Sequence, residues 1–170
     1  MATAPTKVGS AFPANLIFSH IPAAADPGPI TTSGSAPVPY NASEEFAHKK
    51  VVLFSVPGAF TRTCSNKHLP GFLDNIDNFK KKGVDIVACI AHNDAHVMNA
   101  WRKAFNVHSE DILFLSETDL GLSRQLDWTN GDRGARYALI IDNGIIVYAE
   151  QETERGAVTV SAAEAVLNQL

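Results

Sequence analysis

Of the two cysteines in this chain, Cys64 stands where the surrounding residues could make a nucleophile of it. The apolar run Val51-Val-Leu-Phe-Ser-Val56 has strand length, stops at Pro57-Gly58, and gives way to a turn in which Thr61 and Thr63 precede the cysteine. That order predicts a strand, a turn, and a helix starting at or near Cys64. Free backbone N–H groups and the positive end of the helix dipole converge at such a point and favour thiolate over thiol, and the thiolate is the reactive form. Arg62, Lys67 and His68 add cationic or donor character nearby, with the sequence leaving open which of them faces the sulfur. The plainer reading makes Cys64 a packing thiol and Thr61 a helix cap, since free cysteines usually serve as small apolar residues.

The stretch Pro57-Gly-Ala-Phe-Thr61-Arg-Thr-Cys64-Ser, followed by His68-Leu-Pro-Gly71, resembles the active-site loop of the peroxiredoxins, within them the atypical peroxiredoxin-5 or type II group. The similarity runs from about residue 8 to the C-terminus and is nearest to fungal members. It implies a thiol-dependent peroxidase that reduces hydrogen peroxide and alkyl hydroperoxides, with Cys64 cycling through sulfenic acid in antioxidant defence and cell redox homeostasis. In that resemblance Thr61 hydrogen-bonds the sulfur and the peroxide, Pro57 shields the pocket from water, and the Cys64 N–H is a further donor. Arg136 matches the family's active-site arginine, and Arg133 is the fallback. A fork of permanently charged donors suits both a thiolate and a peroxide oxygen; without the resemblance, Arg136 would read as a surface residue at a strand end. One departure is visible, Arg62 where the family usually has proline.

Cys89 is the candidate resolving residue, because plant type II relatives carry a second cysteine at this separation. Other fungal relatives place one in the loop where this chain reads Thr31-Thr32-Ser33. The bland alternative is a buried strand thiol. A Cys64–Cys89 disulfide needs Cα atoms within about 7 Å, hence local unwinding of the cysteine helix; otherwise glutathione, glutaredoxin or thioredoxin supplies the reducing thiol. His68, four residues after Cys64, falls on the same helical face if the helix is regular, and either lines the pocket or is an exposed or packed histidine. Cys89, His92 and His96 have metal-like spacing, yet a strand end and a helix cap intervene, so no metal is expected. The resemblance implies neither haem nor flavin, and a homodimer formed through the face around the site.

These residues need a scaffold. All nine prolines lie at or before Pro70, so the opening third reads as turns and short edge strands, with Leu16-Ile17-Phe18 extended. Asn41 caps a short helix before the core strand. Pro70 should kink or end the cysteine helix, and Gly83 should close a helix carrying Ile76 and Phe79. Val84–Ala91 reads as a central strand, and Asn93 or Asp94 caps a helix bearing Val97, Met98, Trp101 and Phe105. Ile112–Leu115 is a strand and Leu120–Leu126 a short helix. Asp142-Asn143-Gly144 joins the strands Arg136–Ile141 and Ile145–Ala149 as a hairpin, and Ser161-Ala-Ala-Glu164 has the form of a capping box. The alternation predicts an α/β, thioredoxin-like fold: a central mixed β-sheet flanked by helices, with an N-terminal extension. Residues 1–170 are expected to form one domain, with 1–7 a flexible N-terminus.

Composition narrows the partners. A net charge of −4 with no basic cluster beyond Lys80-Lys81-Lys82 offers no nucleic-acid footprint, and no apolar stretch reaches membrane-span length. Two cysteines favour a reducing compartment over a disulfide-stapled secreted scaffold. The cytoplasm is the expected location; the terminal Asn168-Gln169-Leu170 faintly echoes a peroxisomal address and keeps that organelle second. Two other functions compete. A thiol–disulfide oxidoreductase lacks support, because Cys64-Ser-Asn-Lys67 is not C-x-x-C and no proline follows Pro70. A redox sensor, in which oxidation of Cys64 switches partners without efficient turnover, is separated from an enzyme by counting turnovers.

Overall fold

In the computed structural model, which describes residues 8–170, a seven-stranded mixed sheet forms the centre. Its strands are β1 (Ile17–His20), β2 (Val38–Asn41), β3 (Lys50–Ser55), β4 (Ile86–Ala91), β5 (Leu113–Ser116), β8 (Tyr137–Asp142) and β9 (Ile145–Gln151), in spatial order β2-β1-β5-β4-β3-β8-β9. A separate two-stranded ribbon pairs β6 (Thr129–Asn130) with β7 (Arg133–Gly134). The three central strands β3, β4 and β5 run parallel, and β8 returns antiparallel to β3. Hence the fold is thioredoxin-like, with the proline-rich opening third supplying β1 and the edge strand β2.

Alternation along each strand sorts side chains into two cores. Val52, Phe54 and Val56 of the β3 stretch, Cys89 and Ala91 of β4, and Ala138 and Ile140 of β8 face one side, with Cys64. They are covered by α2 (Leu69–Asp74), α3 (Ile76–Lys81), α4 (Ala95–Ala104) and α6 (Ala163–Leu167). Val51, Leu53, Ala88, Ile90, Leu139 and Ile141 face the other side, under Phe12, α1 (Ala42–Glu45) and α5 (Gly121–Gln125). The hairpin turns through Asn143 and Gly144, both at positive φ, which matches the right-handed twist of its strands.

Two local expectations are corrected, and a third is narrowed to one of its two candidates. Pro70 does not end the helix: a π-helical turn over Cys64–His68 precedes α2, which runs through the proline, and Leu69 N–H donates to the Cys64 carbonyl five residues back. The widened turn gives the proline ring room and makes its missing N–H harmless. Ser161 does not cap α6; Ala162 occupies that position, and the Ser161 N–H and hydroxyl both donate to Glu152 Oε1. The α4 cap goes to Asp94, whose side chain accepts from Val97 N–H, while Asn93 Oδ1 accepts from Ala59 N–H and ties the cysteine loop to the end of β4. Residues 1–7, expected to be flexible, lie outside the described residues.

Candidate active site

Cys64 begins the π-turn two residues after helical structure starts at Arg62, directly beyond the loop that leaves β3. Its residue is only 1 % exposed and packs among Phe54, Leu69 and Phe72 in the larger core. The loop is tightly made: Phe60 adopts φ +60 while remaining 54 % exposed, a backbone state unusual for an aromatic residue and typical of functional turns. The Thr61 hydroxyl donates to the Gly58 carbonyl at 2.7 Å. That proton is therefore committed, and the hydroxyl offers lone pairs to anything bound beside it. The resemblance would have the same hydroxyl bond the sulfur; here its donor bond runs to Gly58 instead. Pro57 is half-buried at the start of the loop, and Arg62 is exposed on the first helical turn, where nothing explains its replacing a proline.

Arg136 lies 72 residues further along the chain and reaches the sulfur, with Nη2 3.3 Å from Cys64 Sγ. Parity along the strand explains this: Arg136 precedes Ala138 by two residues and so faces the cysteine side, whereas Ala135 belongs to the opposite core. Arg133, on β7, is exposed and lies against Gly58 rather than Cys64. The Ser55 hydroxyl donates to the Ala135 carbonyl at 2.8 Å, anchoring the backbone that presents Arg136.

His68 is packed, not solvent-facing. It is 1 % exposed, packs against the stacked rings of Phe54 and Phe72, and bonds through both ring nitrogens. Nε2 is 2.9 Å from the Ser161 carbonyl, and Nδ1 is 3.0 Å from Arg136 Nη1. A carbonyl can only accept and a guanidinium can only donate, so the proton belongs on Nε2 and the ring is neutral. Burial, reinforced by the Arg136 charge, pushes its pKa down to about 3. The neutral imidazole thus orients the guanidinium that reaches the Cys64 sulfur.

Cys89 sits in the middle of β4, fully buried between the neighbouring strand positions Phe54 and Phe114, and both cysteines are free thiols. Burial holds its thiol well above the ordinary range, the nearby Cys64 adding to this and Arg136 opposing it. The metal-like trio is not assembled into a site: among the described residues no group of three His, Cys, Asp or Glu side chains is placed to hold an ion, and His96 Nδ1 engages Ser33 Oγ at 2.8 Å. In the loop Thr31–Ser33, Thr32 O accepts from Lys103 Nζ. Two surface hollows, one beside Phe105 and one beside Leu167, are lined by residues other than Cys64. Sequence reasoning missed Ser55 and the carbonyl of Ser161; neither a strand serine nor a backbone oxygen carries a spacing signal.

The chain is similar in sequence and in overall structure to known proteins. The model of the redoxin family matches residues 7–167. Peroxiredoxin Pen c 3 of Penicillium citrinum is 48% identical over 165 residues, covering 96% of this chain and 98% of that protein. Peroxiredoxin AHP1 of Chaetomium thermophilum is 46% identical, covering 98% and 96%. Among solved structures, reduced Prx3 of Vibrio vulnificus in complex with hydrogen peroxide superposes with a TM-score of 0.80 at 39% identity, covering 95% of this chain and 97% of that one.

Proposed function

The chain belongs to the redoxin family and is a peroxiredoxin, a thiol-dependent peroxidase, and from that premise we propose that Cys64 is its peroxidatic nucleophile, with Arg136, Thr61 and Pro57 as partners. The observation that carries this reading is the donor contact of Arg136 Nη2 on Cys64 Sγ, 3.3 Å long and buried. The thiolate attacks the terminal oxygen of hydrogen peroxide or an alkyl hydroperoxide along the O–O axis. An S–O bond forms as the O–O bond breaks, sulfur gives up two electrons and becomes sulfenic acid, and the leaving oxygen departs as water or alcohol after taking a proton. Arg136 stabilises negative charge first on sulfur and then on the leaving oxygen. Thr61, its own proton held by Gly58, accepts the O–H of the peroxide and turns the attacked oxygen toward the sulfur. The Pro57 ring walls the pocket.

The reducing agent is a thiol, and we assign that role to an external one of the glutathione, glutaredoxin or thioredoxin class rather than to Cys89. Burial keeps Cys89 protonated, and attack on sulfenic acid requires the thiolate. One thiol condenses with Cys64 sulfenic acid to give a mixed disulfide and water; a second exchanges with it, releasing Cys64 and an oxidised disulfide. Because Cys64 is almost covered, the π-turn opens locally to admit the reductant. Intact mass after one equivalent of peroxide tests this. A gain of one oxygen, or a glutathione adduct when that thiol is present, is the expected outcome in wild type and Cys89→Ser alike; a loss of two hydrogens in the wild type alone would make Cys89 the resolving residue.

The whole chain acts as a single domain in this reading, since one sheet gathers strands from Ile17 to Gln151. A homodimer forms through the face around the site, where Phe60 is more than half exposed. Among the described residues no helix is long and apolar enough to cross a membrane. We assign the protein to the cytoplasm, with the peroxisome second; one relative from Lipomyces kononenkoae is described as a putative peroxisomal peroxiredoxin, and one from rice as chloroplastic.

A further inference from the structure

The contacts that aim Arg136 do not end at His68. Ser161, whose carbonyl accepts from His68 Nε2 at 2.9 Å, is held by a carboxylate just beyond the end of β9. Glu152 Oε1 accepts from Ser161 N–H at 2.9 Å, Ser161 Oγ at 2.8 Å and Thr159 N–H at 2.6 Å, while Oε2 accepts from Thr159 Oγ1 at 2.8 Å. The Glu152 backbone N–H in turn donates to the Arg136 carbonyl at 2.9 Å. The circuit is closed: Arg136 backbone, Glu152, Ser161, His68, and the Arg136 guanidinium. Tyr148 Oη pins the same strap through the Val160 carbonyl at 2.6 Å, and a Cβ on Gly156 would lie 3.6 Å from Thr63 Oγ1, beside Cys64.

We infer that Glu152 is a positioning residue for peroxide reduction: its carboxylate fastens the 152–161 strap so that the Ser161 carbonyl keeps His68 in the Nε2–H tautomer, and His68 Nδ1 then sets the direction of the guanidinium toward Cys64. The inference rests on the assignment of Cys64 and Arg136 made above. Glu152 touches no reacting atom. It acts by limiting where Arg136 can point, and a small error in such an aim is costly, because a displacement of about 1 Å at a reacting group can cost up to about a hundredfold in rate. The bonds require acceptor oxygens more than charge. Glutamine in this place retains an oxygen for the Ser161 and Thr159 N–H groups, and its amide nitrogen can donate to the Thr159 hydroxyl.

The test is a double-mutant cycle read in the single-turnover rate constant for oxidation of Cys64 by hydrogen peroxide, with circular dichroism and thermal unfolding as fold controls. Glu152→Ala is expected to lower the rate constant about tenfold and Glu152→Gln to stay within about twofold of wild type. In a His68→Leu background, where the link is already cut, adding Glu152→Ala should cost no more than about a further twofold. A merely structural glutamate would multiply its loss onto that of His68→Leu. Should Glu152→Ala not fold, Glu152→Asp, one methylene short of its partners, carries the same cycle. The inference is overturned if the Glu152→Ala rate is unchanged, if its loss persists undiminished beside His68→Leu, or if Glu152→Gln is as slow as Glu152→Ala. Cys64→Ser separates the two levels. If that protein still consumes peroxide, the assignment of the nucleophile fails; if it is inert while Glu152→Ala is unimpaired, only the role of Glu152 does.

Discussion

Cys64 and Cys89 share one core and are almost equally hidden, at 1 % and 0 % exposure, yet their surroundings prepare them for opposite chemistry. Cys89 is fixed in a central strand with both sides of its backbone paired, so its sulfur is a small apolar filler whose ionisation burial opposes. Cys64 stands in a widened helical turn, within bonding reach of a guanidinium that a neutral histidine holds in place. Burial therefore does not distinguish the thiol proposed as nucleophile from the one proposed as filler. What differs is the presence of an oriented donor and of a widened helical turn around the sulfur.

The sharpest way to break this contrast is to exchange each sulfur for oxygen. Cys64→Ser should lower peroxide consumption in excess dithiol by at least about a thousandfold, because a hydroxyl at neutral pH is not ionised. Cys89→Ser should stay within about threefold; a comparable loss there would mean that both thiols take part. Next in size is the guanidinium. Arg136→Leu is expected to reduce kcat/KM for peroxide by about a hundredfold or more, the scale of removing one charge-stabilising donor from a buried site, whereas Arg133→Leu should leave it nearly unchanged.

Titration of stability sharpens the same comparison with opposite signs. The unfolded chain protonates His68 near pH 6.5, while the folded site resists until about 3. The stability this histidine contributes is complete above pH 6.5 and is lost as pH falls toward 3, by up to about 1.4 kcal/mol per pH unit. Denaturant midpoints measured across that range should fall, and fall less in His68→Gln. The folded Cys89 value is raised, so its contribution is complete below the ordinary thiol value of 9.0 and is lost as pH climbs above it. Cys89→Ala should flatten the alkaline limb. The smallest effect is on stability at neutral pH: Cys89→Ser places a hydroxyl in an apolar strand environment at a cost of about 1–3 kcal/mol, while Cys64→Ser, with Arg136 still able to donate to the new oxygen, should cost less.

Much of this arrangement can be read along the chain, and the reasons are local. An apolar run ending at Pro57-Gly58 has few options other than strand and turn, Asp142-Asn143-Gly144 supplies the two positive φ angles of its hairpin, and Asn41 caps the helix its position suggests. The misreadings share a cause. Ser161 looks like a cap because serine before a helix usually is one, but a glutamate nine residues earlier offers a better acceptor. Pro70 looks like a helix end because its ring normally clashes with the preceding turn, but a single π-turn absorbs it.

The motif from Pro57 to Cys64 already marks the proposed nucleophile through the resemblance it carries, and its strand, turn and helix start are short-range matters of φ preference and apolar period. Which arginine reaches that sulfur, whether His68 is charged, and what becomes of Cys89 are decided by tertiary packing. Strand parity turns Arg136 and not Arg133 to the cysteine face, and burial against the stacked Phe54 and Phe72 rings keeps His68 neutral. Such outcomes depend on distances between residues scores of positions apart, which chain order does not contain until the sheet has been assembled.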